Sequence, residues 1–153
     1  MQHTKYTIAL VVSVLILCLS GCKSDDSQEM TPEQWQVIKL ARPWEAADEQ
    51  FVKLDNVDVS QFFEGFTLMF NTQKNYTTTN GNSPIWPESG TYEFAVVNGS
   101  TNIDRLIRND GTEINILELT ENSLKIEFDY SSTPSGGRTM GISGGYYFEL
   151  VAP

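Results

Sequence analysis

The sequence predicts an all-β fold, an antiparallel meander barrel of about eight strands preceded by a short N-terminal helix. Three observations predict it. From Trp44 onward apolar and polar residues alternate with period two, the pattern of strands buried on one face. Turn-forming residues such as Asn109-Asp110-Gly111 interrupt the alternation at short intervals, which favours neighbouring antiparallel strands over long crossovers. Seven to nine such strands in one open sheet would expose two edges, and closure into a barrel removes both.

Thr31-Pro32-Glu33-Gln34 is a helix start: Thr31 caps, proline is tolerated in the first turn, and Gln34 completes a capping box. Trp35, Ile38 and Ala41 then share one face, expected to cover an open barrel end, and Pro43 stops the helix after two or three turns. A strand over residues 35–40 is the alternative; the capping residues favour the helix. One strand is expected over residues 44–54. Phe66, Leu68 and Phe70 form an inward set, the β-branched Tyr76-Thr77-Thr78-Thr79 follows, and Tyr92, Phe94 and Val96 form the next inward set. Residues 103–108 and 114–119 pair across Asn109-Asp110-Gly111, where Asp-Gly supplies the positive φ angles of a tight hairpin. Leu124, Ile126, Phe128 and Tyr130 face inward against Lys125, Glu127 and Asp129. Tyr146, Phe148 and Leu150 make the last inward set, and a further strand is expected at 138–142. A barrel of about eight strands is only just wide enough for side chains to fill, and these are large. The interior is therefore expected to be mostly filled, with a shallow pocket at most near one mouth.

Ahead of this domain, residues 8–19 form an apolar run after a weakly basic start at Lys5. The run suits a signal-peptide core and falls short of the ~20 residues that span a bilayer. Leu19-Ser20-Gly21-Cys22 follows directly, and small residues before a cysteine at this place resemble the lipobox of bacterial lipoproteins. The resemblance implies cleavage between Gly21 and Cys22 and acylation of the Cys22 thiol. The chain then divides into a lipoprotein signal peptide (residues 1–21), a lipidated tether expected to be flexible (22–30) and a barrel domain (31–153).

Loss of residues 1–21 from the 153-residue chain removes His3, Lys5 and Cys18, leaving no histidine and one cysteine, Cys22. That inventory excludes a His-based triad, a His/Cys zinc site, a CxxC redox pair and a disulfide. No cofactor and no metal is expected. Nine basic residues against twenty acidic ones give a formal charge of −11, which repels phosphate. Nucleic acid is accordingly not an expected partner, and membrane association has to come from lipid and not from a basic face. Asp55-Asn56-Val57-Asp58 lacks the ligand run and glycine of a calcium loop. Nothing in the sequence places two carboxylates at one cleft, so no catalytic residue is assigned and the chain reads as non-enzymatic.

Gly65-Phe66-Thr67-Leu68-Met69-Phe70, Tyr76-Thr77-Thr78-Thr79-Asn80-Gly81, Pro84-Ile85-Trp86-Pro87-Glu88-Ser89-Gly90-Thr91-Tyr92 and Gly136-Gly137-Arg138 followed by Gly144 are similar to small lipocalin-like lipoproteins of Bacteroidota-type bacteria. The resemblance spans residues 44–151 and implies a lipocalin-like β-barrel. It leaves the ligand open, because a shared barrel does not carry a shared ligand. The larger secreted lipocalins differ by their disulfides and by a first-strand Gly-x-Trp, whereas here Arg42-Pro43 precede Trp44, which argues against a deep calyx. Asp25 and Asp26, shortly after Cys22, look like a surface-export tract of such lipoproteins, with a plain soluble spacer as the alternative reading. Lys23 departs from the aspartate that retains lipoproteins at the inner membrane, so the expected address is the outer membrane, its cell-surface face included.

Two residues are candidate contacts. Trp86, in Ser83-Pro84-Ile85-Trp86-Pro87, is either a ring held at a barrel mouth, able to stack on a sugar or cover a pocket, or a loop tryptophan packed over the end of the core. Arg138 either forks onto a ligand carboxylate or sulfate or pairs with acids on neighbouring strands. The expected function is that of a lipid-anchored binding or interaction module. Its expected partners are the membrane, through the N-terminal lipid, and a small apolar or glycan ligand or an envelope protein. A structural accessory with a filled barrel is the rival reading, and a hydrolase using paired carboxylates a second. A vacant interior favours a small ligand and a packed one a protein partner.

Cys22→Ala is expected to release the protein from membranes, because ~0.8 kcal/mol per buried methylene is lost for every acyl chain and no basic patch replaces it. Fractionation after a high-salt wash checks this. A folded variant that stays membrane-bound would mean that lipid is not the anchor.

Overall fold

In the computed structural model, which describes residues 29–131 and 143–153, Thr31 caps helix α1 (Pro32–Leu40). Thr31 Oγ1 accepts from the Gln34 amide at 3.2 Å and Gln34 Oε1 accepts from the Thr31 amide at 2.8 Å, so both halves of the capping box form. The buried face of α1 is Gln36, Val37 and Leu40, not the expected Trp35, Ile38 and Ala41. Both sets are largely apolar, and tertiary contacts choose between them. Gln36 Nε2 donates to the Ile103 carbonyl at 3.1 Å, Trp44 Nε1 donates to the Leu40 carbonyl at 3.0 Å, and Val37 and Leu40 join the core.

Ten strands follow: β1 (Pro43–Ala46), β2 (Val52–Leu54), β3 (Val57–Asp58), β4 (Thr67–Phe70), β5 (Asn75–Thr79), β6 (Ser89–Val97), β7 (Ser100–Arg108), β8 (Glu113–Leu119), β9 (Ser123–Tyr130) and β10 (Gly144–Val151). They pair antiparallel in the order β1-β4-β5-β6-β7-β8-β9-β10-β2-β3, and a β1–β10 pairing closes eight of them into a meander barrel. β2 and β3 continue past the closure as a two-stranded flap beside the start of β10.

The single strand expected over residues 44–54 is broken in two. β1 meets the end of β10 through Glu45↔Val151, and β2 meets its start through Leu54↔Tyr146. Glu149 spans the break, its carbonyl accepting from Ala47 and its amide donating to Phe51. Trp44 and Phe51 are both buried, yet an odd spacing puts them on opposite faces of an unbroken strand. The break lets both side chains enter.

Register departs from simple alternation at two other places, between Phe94 and Ala95 in β6 and between Ile116 and Glu118 in β8. Between Phe94 and Ala95 the pairing of β6 with β7 slips, so Ala95 turns inward and Val96, expected inside, is 69% exposed. The β7–β8 connection is a four-residue loop (109–112) in which Gly111 alone takes a positive φ (+88°), and not an Asp-Gly pair with both residues in that region. The strand expected at 138–142 lies outside the described residues.

Topology gives the barrel two unlike ends. At one end α1 rests on β7, Glu33 binds Lys74 of the β4–β5 turn, and Arg42 donates to the Glu121 carbonyl of the β8–β9 turn. At the other end lie the β2–β3 turn, a 3-10 turn (Ser60–Phe63), the loop over residues 80–88 and the β7–β8 hairpin loop. Between the ends, Phe148 has ring centroids of Phe63, Phe66, Phe128 and Trp86 at 5.2, 5.3, 5.8 and 6.1 Å. The expected inward sets on β4, β9 and β10 are buried there, except that Tyr130 is only partly buried, and the interior is filled.

Phe128→Ala is expected to cost ~3–5 kcal/mol through the cavity it leaves. Val96→Ala, on the face that the bulge turns outward, is expected to stay within about 0.5 kcal/mol of the parent. Urea unfolding of both variants checks the assignment of faces.

Candidate functional site

The second end, away from α1, takes its shape from the loop over residues 80–88. Thr78 Oγ1 donates to the Pro87 carbonyl at 2.9 Å, and the Trp86 amide donates to the Gly81 carbonyl at 3.1 Å. A Cβ at Gly81 would lie 2.4 Å from the Trp86 carbonyl oxygen, so only glycine lets the two segments meet this closely. The loop thereby folds into the barrel. Trp86 is 1% exposed and packs edge-on against Tyr76, Phe128 and Phe148, so it fills the interior and offers no ring to a ligand at the mouth. Of its two expected placements, the packed one is found.

Beside Trp86 lies a residue that sequence reasoning passed over. Arg108 is fully buried, with its guanidinium 5.0 Å from the Trp86 ring and 5.8 Å from the Phe128 ring. Its Nη1 donates to the Ile85 carbonyl at 2.7 Å, Nε and Nη2 fork onto the two carboxylate oxygens of Asp110, and Nη2 also donates to Thr112 Oγ1 at 3.2 Å. Burial alone would raise the pKa of Asp110; hydrogen bonds from Arg108 and Thr112, with the guanidinium charge, outweigh it and hold the carboxyl down at about 2. Asp110 is thus half of an ion pair as well as a turn residue. Its signal was present in the sequence, since Arg108 sits two residues after inward Leu106 and two before an acid.

Burial pushes the Tyr92 phenol up to about 12 and raises that of Tyr76. The hydroxyls of both, and the Trp86 indole N–H, have no hydrogen-bond partner among the described residues. Asp58 moves down because Ser60 donates to it from both its hydroxyl, at 2.7 Å, and its amide, at 3.0 Å. A general acid needs a raised carboxyl. Asp58 and Asp110 move the other way, each serving a local bond. Asp55, on the β2–β3 turn, accepts from the Gly145 amide at 2.9 Å, and no three His, Cys, Asp or Glu side chains gather into a metal site among the described residues.

Two concave surfaces open at and beside this end. A mostly apolar pocket of 210 Å³ opens between the 3-10 turn and the inserted loop, lined by Leu54, Val59, Phe62, Phe63, Ile85 and Tyr146 together with Asn82. Phe62, at its lip, is 61% exposed, and nearby Val57 is exposed as well. Next to it a wider polar groove of 990 Å³ runs from the outer face of β7, β8, β9, β10 and β2 onto the barrel rim, where Asp55, Asp110, Thr112 and the inward-facing Phe128 and Tyr146 also line it. Register sets its floor as one row, Arg105–Asn115–Glu127–Tyr147–Lys53. Arg105 Nε donates to Asn115 Oδ1 at 3.0 Å, Asn115 Nδ2 donates to Glu127 Oε1 at 3.3 Å, and Lys53 Nζ stands 5.7 Å from the Tyr147 ring. The polar groups of the row answer one another.

No protein-family model matches the chain, and no curated protein matches it. Of the residues expected to matter, Trp86 is placed in the core, while Gly21, Cys22, Asp25, Asp26 and Arg138 lie outside the described residues. No helix among the described residues is long and apolar enough to cross a membrane.

The depressed Asp110 carboxyl sets a pH dependence. Its contribution to stability is present above the ordinary value of 3.8 and is lost as the pH falls toward about 2, where the folded carboxyl takes up its proton. Asp110→Asn is expected to melt below the parent at pH 7 and to show a flatter decline between pH 4 and pH 2. Thermal melts across that range check it.

Proposed function

We propose that this protein is an outer-membrane or cell-surface lipoprotein whose lipocalin-like barrel is a non-enzymatic interaction module, with an envelope protein as its partner and the end opposite α1 as its recognition surface. The observation that carries the reading is the filled interior. Trp86 and Arg108 occupy the space in which a carrier would hold its cargo, so an apolar ligand would have to displace a buried guanidinium and break its pair with Asp110. Small-molecule sites usually enclose about 300–1,000 Å³ of mostly apolar space. The apolar pocket here is 210 Å³, of a size for one or two side chains of a partner. The exposed Phe62 at its lip and the polar groove beside it give an apolar centre with a polar border, the anatomy of a protein interface.

Position does the rest of the work in this reading. An acylated Cys22 supplies a fixed surface, and the segment between Cys22 and Thr31 sets the reach. Asp25 and Asp26 serve export to the outer face; their replacement by Ala is expected to leave anchoring intact and to lower the accessibility of the protein to protease applied to whole cells. Equal accessibility would make the pair a spacer.

Native mass spectrometry of protein extracted gently from its membrane tests the main claim. The expected spectrum holds a partner chain and no stoichiometric small molecule, and Phe62→Ser, a change at an exposed position, is expected to weaken that partner by ~2 kcal/mol or more. A retained apolar molecule at one per barrel, unaffected by Phe62→Ser, would return the protein to the carrier class.

A further inference from the structure

The face of α1 that the barrel leaves uncovered is apolar. Trp35 is 53% exposed and Ile38 is 41% exposed, one turn apart and on the side away from Gln36, Val37 and Leu40. The chain has three tryptophans, and the other two, Trp44 and Trp86, are fully buried. Scattered exposed apolar residues are ordinary on a soluble surface, but these have company at the same barrel end. Val96 and Val97 stand exposed at the tip of the β6–β7 hairpin, and Met30 is exposed just ahead of the helix. The end is fixed as one surface by the bonds of α1 to Ile103 and Lys74 and of Arg42 to Glu121.

We infer that this end of the barrel rests on the bilayer that holds the N-terminus, with Trp35 and Ile38 entering the interface between lipid headgroups and acyl chains. The inference builds on the reading of Cys22 as the lipid anchor. Chain length supplies the occupant: ten residue steps separate Cys22 from Pro32, and a chain cannot exceed about 3.6 Å per residue, so α1 stays within about 36 Å of the membrane whatever path the segment takes. Within that layer the effective concentration of the helix against the lipid is on the order of mM or higher, and a weak apolar contact suffices. Tryptophan suits the position, its ring apolar and its indole N–H able to bond at the wet side.

Charge selects the kind of lipid surface. Lys74 near this end is already neutralised by Glu33 and Glu93, both at 2.7 Å, and Lys39 is the lone base in the last turn of α1. With no basic face to meet anionic headgroups, docking runs on apolar insertion and is strongest on a zwitterionic surface. The geometry also assigns an orientation. The barrel end with Phe62, the apolar pocket and the polar groove points away from the membrane, toward a partner.

The chain from Cys22 onward contains the helix and every strand, and Cys22 is then its sole cysteine. Coupling that thiol to a maleimide lipid in phosphatidylcholine vesicles installs the anchor chemically, so the outcome does not depend on whether a cell acylates Cys22, which membrane fractionation of Cys22→Ala decides separately. The expected result is a blue-shifted tryptophan emission on tethering, a several-fold loss of acrylamide quenching, and quenching by lipids brominated on their acyl chains. Trp35→Phe should abolish all three changes, because Trp44 and Trp86 report only the core. Untethered protein mixed with the same vesicles should show none of them. Acrylamide access to Trp35 that is equal in tethered and free protein would overturn the inference. So would protection of Trp35 without quenching by brominated lipid, which would place a second copy of the chain on this face.

Discussion

A guanidinium inside the barrel is the constraint on which the rest of the structure turns. An unpaired charge in a protein interior costs several kcal/mol. Arg108 meets that demand with three groups from two loops: the carboxylate of Asp110, the hydroxyl of Thr112 and the carbonyl of Ile85. Hydrogen bonds to a charged group are worth about 1.5–3 kcal/mol each, more than the ~1 kcal/mol of a neutral pair. The aromatic faces of Trp86 and Phe128 add the cation–π attraction that grows with desolvation. No single partner offsets the burial, so all of them have to be in place.

That requirement organises one whole end of the molecule. The Ile85 carbonyl reaches Arg108 only if the loop over residues 80–88 folds inward, and folding inward is what carries Trp86 into the core. The same loop forms a wall of the apolar pocket through Ile85, so the exposed surface is built from the back of the plug. Asp110 and Thr112 fix the β7–β8 loop against it. The opposite end is organised by a different element, α1, whose buried face is set by the Gln36 and Trp44 bonds and whose other face is left apolar. A filled barrel therefore becomes a spacer with two distinct faces, one placed at the membrane side by the N-terminus and one turned toward a partner in the proposed arrangement.

How much of this could be read from the chain follows from the range of each interaction. The capping box of α1 was legible because Thr31 and Gln34 satisfy each other within one turn. Its rotation was not, because Trp35, Ile38 and Ala41 compete with Val37 and Leu40 as an apolar stripe and only contacts with residues 44 and 103 decide. Strands with unbroken alternation, β9 and β10 above all, were placed with the correct face. Val96 and the strand over residues 44–54 failed for one reason: a bulge or break changes face without any local mark, and what demands it is the pairing partner. Trp86 was legible as a residue at the barrel end but not as its plug, since the partner that draws it in, Arg108, was not recognised as buried. The motif around Cys22 is legible in the sequence as chemistry alone and lies outside the described residues.

The central claim is that Trp86 and Arg108 seal the interior against cargo, and calorimetric titration with indole tests it most directly. The parent is predicted to show no saturable binding, whereas Trp86→Ala, with an indole-shaped space beside Arg108, is predicted to lose ~3–5 kcal/mol of stability and to recover part of it as indole saturates the cavity. Saturable binding of indole by the parent, or a Trp86→Ala variant as stable as the parent, would show that the interior is open and that the filled-barrel account is wrong.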